Sequence, residues 1–217
     1  IFTNGITSGY DQGWLINNNT FGSVGVPNDK LGFRGILLQG TQNFTISGNT
    51  IQGVICPTTT TSTATGITIA ANASIGTIYD NRISDIKHLN TGGRGCNGIL
   101  LGTSTTAANI NVYNNFIWDV ASYGGTGVTQ GDNGYGIVLN SGGGYNLYYN
   151  SVNMATNQTA ATSTTAAINI ASGVTTTNSI NIRNNVFTNT QTTGNVYAIY
   201  SAAASTVYAA IDYNDYH

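Results

Sequence analysis

Residues 35–51 read GILLQGTQNFTISGNTI. Apolar side chains alternate there with polar ones, first Ile36 and Leu38, then Phe44 and Ile46, then Ile51. That is the period of two of β-structure. Three runs this short bury no core by themselves. The Asn near the end, Asn49, has counterparts at Asn19, Asn81, Asn115, Asn150, Asn185 and Asn214, 29 to 35 residues apart. A second marker runs ahead of it in phase: Gly5-Ile6, Gly35-Ile36, Gly66-Ile67, Gly98-Ile99, Gly136-Ile137, Ala167-Ile168 and Ala198-Ile199, 30 to 38 residues apart. Two markers recurring together define a repeat, and repeats that cannot bury a core alone must stack.

Stacking like strand on like strand, in parallel, predicts three inward columns. The first is Ile36, Ile67, Ile99, Ile137, Ile168 and Ile199. The second is Ile16, Ile46, Ile78, Val112, Leu147, Ile182 and Ile211. The third is Phe21, Ile51, Ile83, Ile117, Val152, Phe187 and Tyr216. The repeated Asn falls at one corner of every coil, about 4.8 Å above its predecessor. An inward amide there donates and accepts along the stack, an asparagine ladder. Asn also tolerates the left-handed backbone that such corners need.

This pattern, from GWLINNNTF to AAIDYNDYH, resembles the right-handed parallel β-helix repeats of pectate-lyase-like architecture. It is most similar to the repeat domains of large secreted bacterial surface proteins, especially in the closing NNVFTNT, YAIYS and AIDYNDY. The resemblance implies an all-β solenoid of about seven coils with three short strands each, in one domain over residues 1–217. Fold alone does not assign function.

Composition agrees with β-structure and turns. Only 6% of residues are charged, Glu is absent, and Gly, Asn, Thr, Ser and Tyr abound. The net charge of -2 gives no basic footprint for nucleic acid. No apolar run approaches the ~20 residues a membrane-spanning helix requires. The charge-poor, hydroxyl-rich surface points to a secreted or cell-surface location. The chain opens at Ile1 without Met and reads as a piece of a longer chain. Further domains of that chain, or other copies end to end, are then expected partners.

One long, variable connection follows the third strand of every coil, and these emerge on one wall, where binding groups usually lie. The densest polar cluster there is Asp85, Lys87, His88 and Arg94, with Asp119 and Asp132 in the next coil. A polysaccharide lyase needs a basic group to abstract a proton and a cation or Arg to offset the uronate carboxylate. A glycoside hydrolase needs a carboxylate pair. These residues are the catalytic candidates; the competing reading is a solvated loop holding most of the chain's few charges. The second candidate is the outward column Tyr79, Tyr113, Tyr148 and Arg183, as stacked rings that bind sugar with Arg as a cation-π cap, or as a purely stabilising aromatic ladder.

The outward side of the first strand carries Leu37, Thr68, Leu100, Val138, Asn169 and Tyr200, and its apolar members need covering by a loop, a neighbouring domain or another copy. Cys56 and Cys96, in consecutive long loops, either bridge adjacent coils or remain free thiols. No His, Cys or acidic spacing fits a zinc or calcium site, and no cofactor is expected. The Thr-rich runs lie in loops of unequal length, which argues against an ice-binding array. The expectation is a non-catalytic surface module, a stalk, an adhesion element or a glycan binder, with a polysaccharide or cell-surface component as its partner. The alternative is a lyase or hydrolase acting from the long-loop wall.

Overall fold

The computed structural model describes residues 1–5, 9–25 and 30–217. The chain winds as a parallel β-helix of about six turns. In the first sheet the strands Phe2–Asn4, Arg34–Gln39, Ala64–Ala70, Cys96–Gly102, Gly134–Ser141, Thr164–Ile170 and Asn195–Ser201 lie side by side in chain order. Seven stacked strands enclose six full turns, one fewer than a count of repeat markers suggests. The second sheet runs from Asp11–Gln12 and Leu15–Asn17 through Thr41–Ser47, Ser74–Tyr79, Ile110–Tyr113, Tyr145–Tyr148 and Ile180–Arg183 to Tyr208–Asp212. The third stacks seven strands from Thr20–Phe21 to Asp215–Tyr216.

Register follows the inward columns. Ile36 pairs Ile67, Ile67 pairs Ile99, and the column continues through Ile137 and Ile168 to Ile199. The second column runs unbroken from Ile16 to Ile211. The third runs from Phe21 to Tyr216. A one-residue slip would turn every one of these side chains outward, so burial itself selects the register. The Gly-Ile marker has a steric origin. A Cβ on Gly66 would lie 2.6 Å from the Gly98 carbonyl oxygen and 2.6 Å from Ile83 Cγ2. The third-strand Ile occupies the space a side chain would need. Ile6, the first member of that marker, lies outside the described residues.

The asparagine ladder is formed. Nδ2 of Asn49, Asn81, Asn115 and Asn150 each donates to Oδ1 of the next rung at 2.9 Å. The same Oδ1 also accepts the backbone N–H of the rung below, as Asn115 Oδ1 does from Asn81 at 3.1 Å. Asn19 and Asn214 close the ends through Asn49 and Asn185. One part of the expectation fails. The left-handed residue at this corner is the one before the ladder Asn: Asn18, Gly48, Asp80, Asn114, Tyr149, Asn184 and Tyr213, with φ of 53° to 63°. That residue makes the bend, and the ladder Asn then points inward from regular backbone.

The long connections are not loops throughout. Val54–Cys56, Ile86–His88 and Val120–Ser122 form a fourth, three-stranded parallel sheet. Val54, Ile86 and Val120 add another inward column, all fully buried. Those turns therefore carry four strands rather than three; three residues are too few to show a period in sequence. The outer face of the first sheet is covered over its middle turns by the chain itself, while Leu37 near its start lines an open cavity with Phe2 and Phe33. Residues 123–133 cross it, Val128 O accepting from Tyr135 OH at 3.0 Å and from Asn169 Nδ2 at 3.2 Å. Beneath this strap Tyr135, Val138 and Ala166 form a second small core with Leu100 and Tyr200 against it.

Candidate functional site

The fourth sheet explains most of the charged cluster. Asp85 and Asp119 precede its second and third strands with φ of 52° and 54°, in the place Gly53 holds one turn earlier at 65°. Asp is among the few side chains that tolerate this backbone. Lys87 pairs with the Asp119 carboxylate and donates to the Asp119 backbone oxygen at 2.9 Å. Thr156 Oγ1 donates to the same carboxylate at 2.6 Å. Burial alone would push the Asp119 carboxyl up, but the hydrogen bonds from Lys87 and Thr156 prevail and hold it below its ordinary value. The Asp85 carboxyl is raised, chiefly by burial, with Lys87 opposing and Asp119 adding repulsion.

His88 sits inside rather than on a loop. It is buried, with Nε2 2.8 Å from Ser62 O and Nδ1 accepting the Asn90 N–H at 3.2 Å. This assigns a neutral ring protonated on Nε2, and burial lowers its pKa. Asp132 closes a turn of the strap, its Oδ2 accepting from Thr129 N at 2.9 Å and Thr129 Oγ1 at 2.6 Å. Arg94 is exposed. Asp119 and Asp132 thus serve separate features, a corner and a strap. Each candidate except Arg94 has a structural task, and only Lys87, Asp85 and Asp119 come together. Among the described residues no three His, Cys, Asp or Glu side chains gather as a metal site.

Cys56 and Cys96 are free and buried. The bridge between adjacent coils is not formed, and the two belong to different sheets. Cys56 lies level with His88 in the fourth, and Cys96 level with Ala64 and Gly134 in the first. Burial pushes the Cys56 thiol up to about 11 and raises that of Cys96 as well.

The outward face of the second sheet carries the other candidates. Tyr79 and Tyr113 stack with ring centroids 5.0 Å apart and planes 9° from parallel. Tyr148 is the next residue in register, and its OH lies 3.4 Å from Asn146 Oδ1. Arg183 does not cap the stack. It turns to Asp212, Nε to Oδ1 at 2.8 Å, in an ion pair without hydrogen-bond alignment.

A second stacked aromatic pair lies one corner away, on residues that sequence reading passed over. Phe116 and Trp118 stack at 4.6 Å on the outer side of the third sheet, and Phe116 is 43% exposed. With Asp80, Asn81, Arg82 and Asn114 they line a cavity of about 540 Å³. Asp80 and Asn114 project there because they are the left-handed corner residues, and Arg82 because it neighbours Phe116 in register. The signal was present in FIW at 116–118. Ile117 belongs to the inward column, so Phe116 and Trp118 must both point out. Beside the Tyr column the face also bears a second, outward amide ladder: Asn146 Nδ2 donates to Asn111 Oδ1 at 3.0 Å and Asn181 Nδ2 to Asn146 Oδ1 at 2.8 Å. Comparison with protein-family models, with curated proteins and with solved structures returns no match for this chain.

Proposed function

We propose that this protein is a non-catalytic, extracellular or cell-surface β-helix module that recognises glycan. The observation that carries the reading is the corner cavity. It joins an exposed Phe116, stacked on the half-buried Trp118, to the hydrogen-bonding side chains Asp80, Arg82 and Asn114. A sugar ring has an apolar C–H face and an equatorial rim of hydroxyls. An aromatic surface beside a carboxylate, a guanidinium and an amide matches both. The parallel β-helix supplies rigidity, because each lining residue is set by a strand register or a corner and not by a long loop.

The test is a panel of neutral and uronate polysaccharides, read by isothermal titration for binding and by unsaturated-product absorbance and reducing ends for turnover. Binding without turnover, weakened about tenfold by Trp118→Ala, is expected. Turnover that is lost in Lys87→Ala would instead establish an enzyme acting from the long-connection wall.

A further inference from the structure

We infer that the ligand is an extended, uncharged polysaccharide lying lengthwise along the solenoid axis on the outer face of the second sheet, with the corner cavity as one of its subsites. This rests on the glycan-recognition reading and adds the shape, direction and charge of the ligand.

The face is a comb of hydrogen-bonding groups with one tooth per turn. Thr45, Thr77, Asn111, Asn146 and Asn181 stand in one outward column, paired rung to rung. Tyr79, Tyr113 and Tyr148 stand in the column beside it, which the buried Ser47 begins. Parallel pairing repeats both columns every ~4.8 Å along the axis. The Tyr79–Tyr113 centroid distance of 5.0 Å shows that side chains keep that repeat out to the ring. In the outward Asn ladder the internal amide, Asn146, donates one N–H to Asn111 Oδ1 and accepts from Asn181 Nδ2 and the more distant Tyr148 OH, which leaves its second N–H without a partner in the chain. A comb of this kind suits a ligand whose own hydroxyls repeat at a similar distance, and an extended β-linked pyranose chain is such a ligand. A single sugar would meet one tooth and leave the others to water.

Charge selects within that class. The charged residues on these two columns, Arg183 and Asp212, face each other. In the cavity Asp80 and Arg82 carry opposite signs. No excess of positive charge awaits a uronate or a sulfate, so a neutral chain fits best. The two regions are also continuous: Tyr113 on the comb, Asn114 at the corner and Phe116 in the cavity follow one another around a single turn.

The experiment titrates the protein with cello-, xylo- and chito-oligosaccharides of one to six residues, and with oligogalacturonates of the same lengths. For one neutral series affinity should rise about threefold to tenfold per added residue up to about five residues and then level off, as each sugar gains one rung's hydrogen bonds. Tyr113→Phe, which removes only a hydroxyl, and Asn146→Ala should flatten that rise while leaving short-oligomer binding intact. Trp118→Ala should weaken every length. Affinity independent of length would reduce the site to the cavity alone and overturn the lengthwise chain, leaving glycan recognition standing. A preference for oligogalacturonates would overturn the uncharged ligand. No binding to any series would overturn both this inference and the reading beneath it. Thermal unfolding of each variant separates loss of contact from loss of fold.

Discussion

Replacing Asn115 by Ala removes the central rung of the inner ladder. Its Oδ1 accepts from Asn81 N at 3.1 Å and Asn81 Nδ2 at 2.9 Å. Its Nδ2 donates to Asn150 Oδ1 and Ile78 O, each at 2.9 Å, and to Tyr113 O at 3.1 Å. Five contacts vanish. Asn81 Nδ2 keeps its bonds to Ile46 O and Tyr79 O, and Asn150 Oδ1 keeps the Asn115 backbone N–H. The Asn81 backbone N–H is orphaned in a buried corner. The Nδ2 amide has only two hydrogens to share among its three acceptors, so four bonds at the low end of their net worth, plus the ~1–3 kcal/mol of an unpaired buried donor, give a loss of about 4 kcal/mol. Asn19→Ala is the control. Its Nδ2 bonds, to Asn49 Oδ1 and Asn17 O, lie at the open end of the ladder, and Asn49 Oδ1 retains the Asn19 N–H. Its cost should stay below ~1 kcal/mol. Equilibrium unfolding in urea measures both variants against the parent. A split into two transitions in Asn115→Ala would express the same loss, since a solenoid is coupled only through adjacent turns. Equal stability losses in the two variants would refute the ladder as a buried, end-dependent network.

Ile75 is a β-branched residue held at φ 56° and 47% exposed, where other turns place Asn43, Asn109 or Gly144. Ile75→Asn should relieve about 1 kcal/mol of strain and raise Tm by about 2–4 °C; an unchanged or lower Tm contradicts that account. His88 binds its proton less readily when folded than its ordinary 6.5 implies. The unfolded chain therefore takes up the extra proton, and stability present above that pH is lost as pH falls below it. Denaturant midpoints at pH 7.5 and 5 should differ more for the parent than for His88→Gln, and equal differences would remove His88 from the effect. Both cysteines should resist an aromatic disulfide reagent at pH 8 in the folded protein and react after unfolding, with no mobility change on reduction. Recovery of fewer than two thiols from the unfolded chain would reinstate a bridge.

Repetition made much of this protein legible. The columns beginning Ile36, Ile16 and Phe21 pair in the order their spacing predicts, because a turn of a solenoid has nowhere to bury an apolar residue except on its neighbour's equivalent. The ladder was readable for the same reason. The corners were harder. Asn18, Asp80, Asn114 and Tyr149 share a left-handed backbone but no common chemistry, whereas the ladder Asn beside them is invariant through the turns. The more regular residue attracted the role that belongs to its neighbour. Strands such as Ile86–His88 were hidden by their brevity, which made buried His88 resemble a loop group.

The sequence by itself determined the fold class, the repeat, the register and the inner ladder, since each is a periodic property and periodicity survives in one dimension. Only the tertiary structure decided what covers the first sheet, which charges are consumed at corners, that the two thiols stand apart, and that Phe116 and Trp118 open beside Asp80 and Arg82. Those features depend on the paths of connections with no repeat, and on side chains a full turn apart in sequence meeting across one rung, as Lys87 and Asp119 do. Distance along the chain carries no record of such a meeting; the winding of the β-helix creates it.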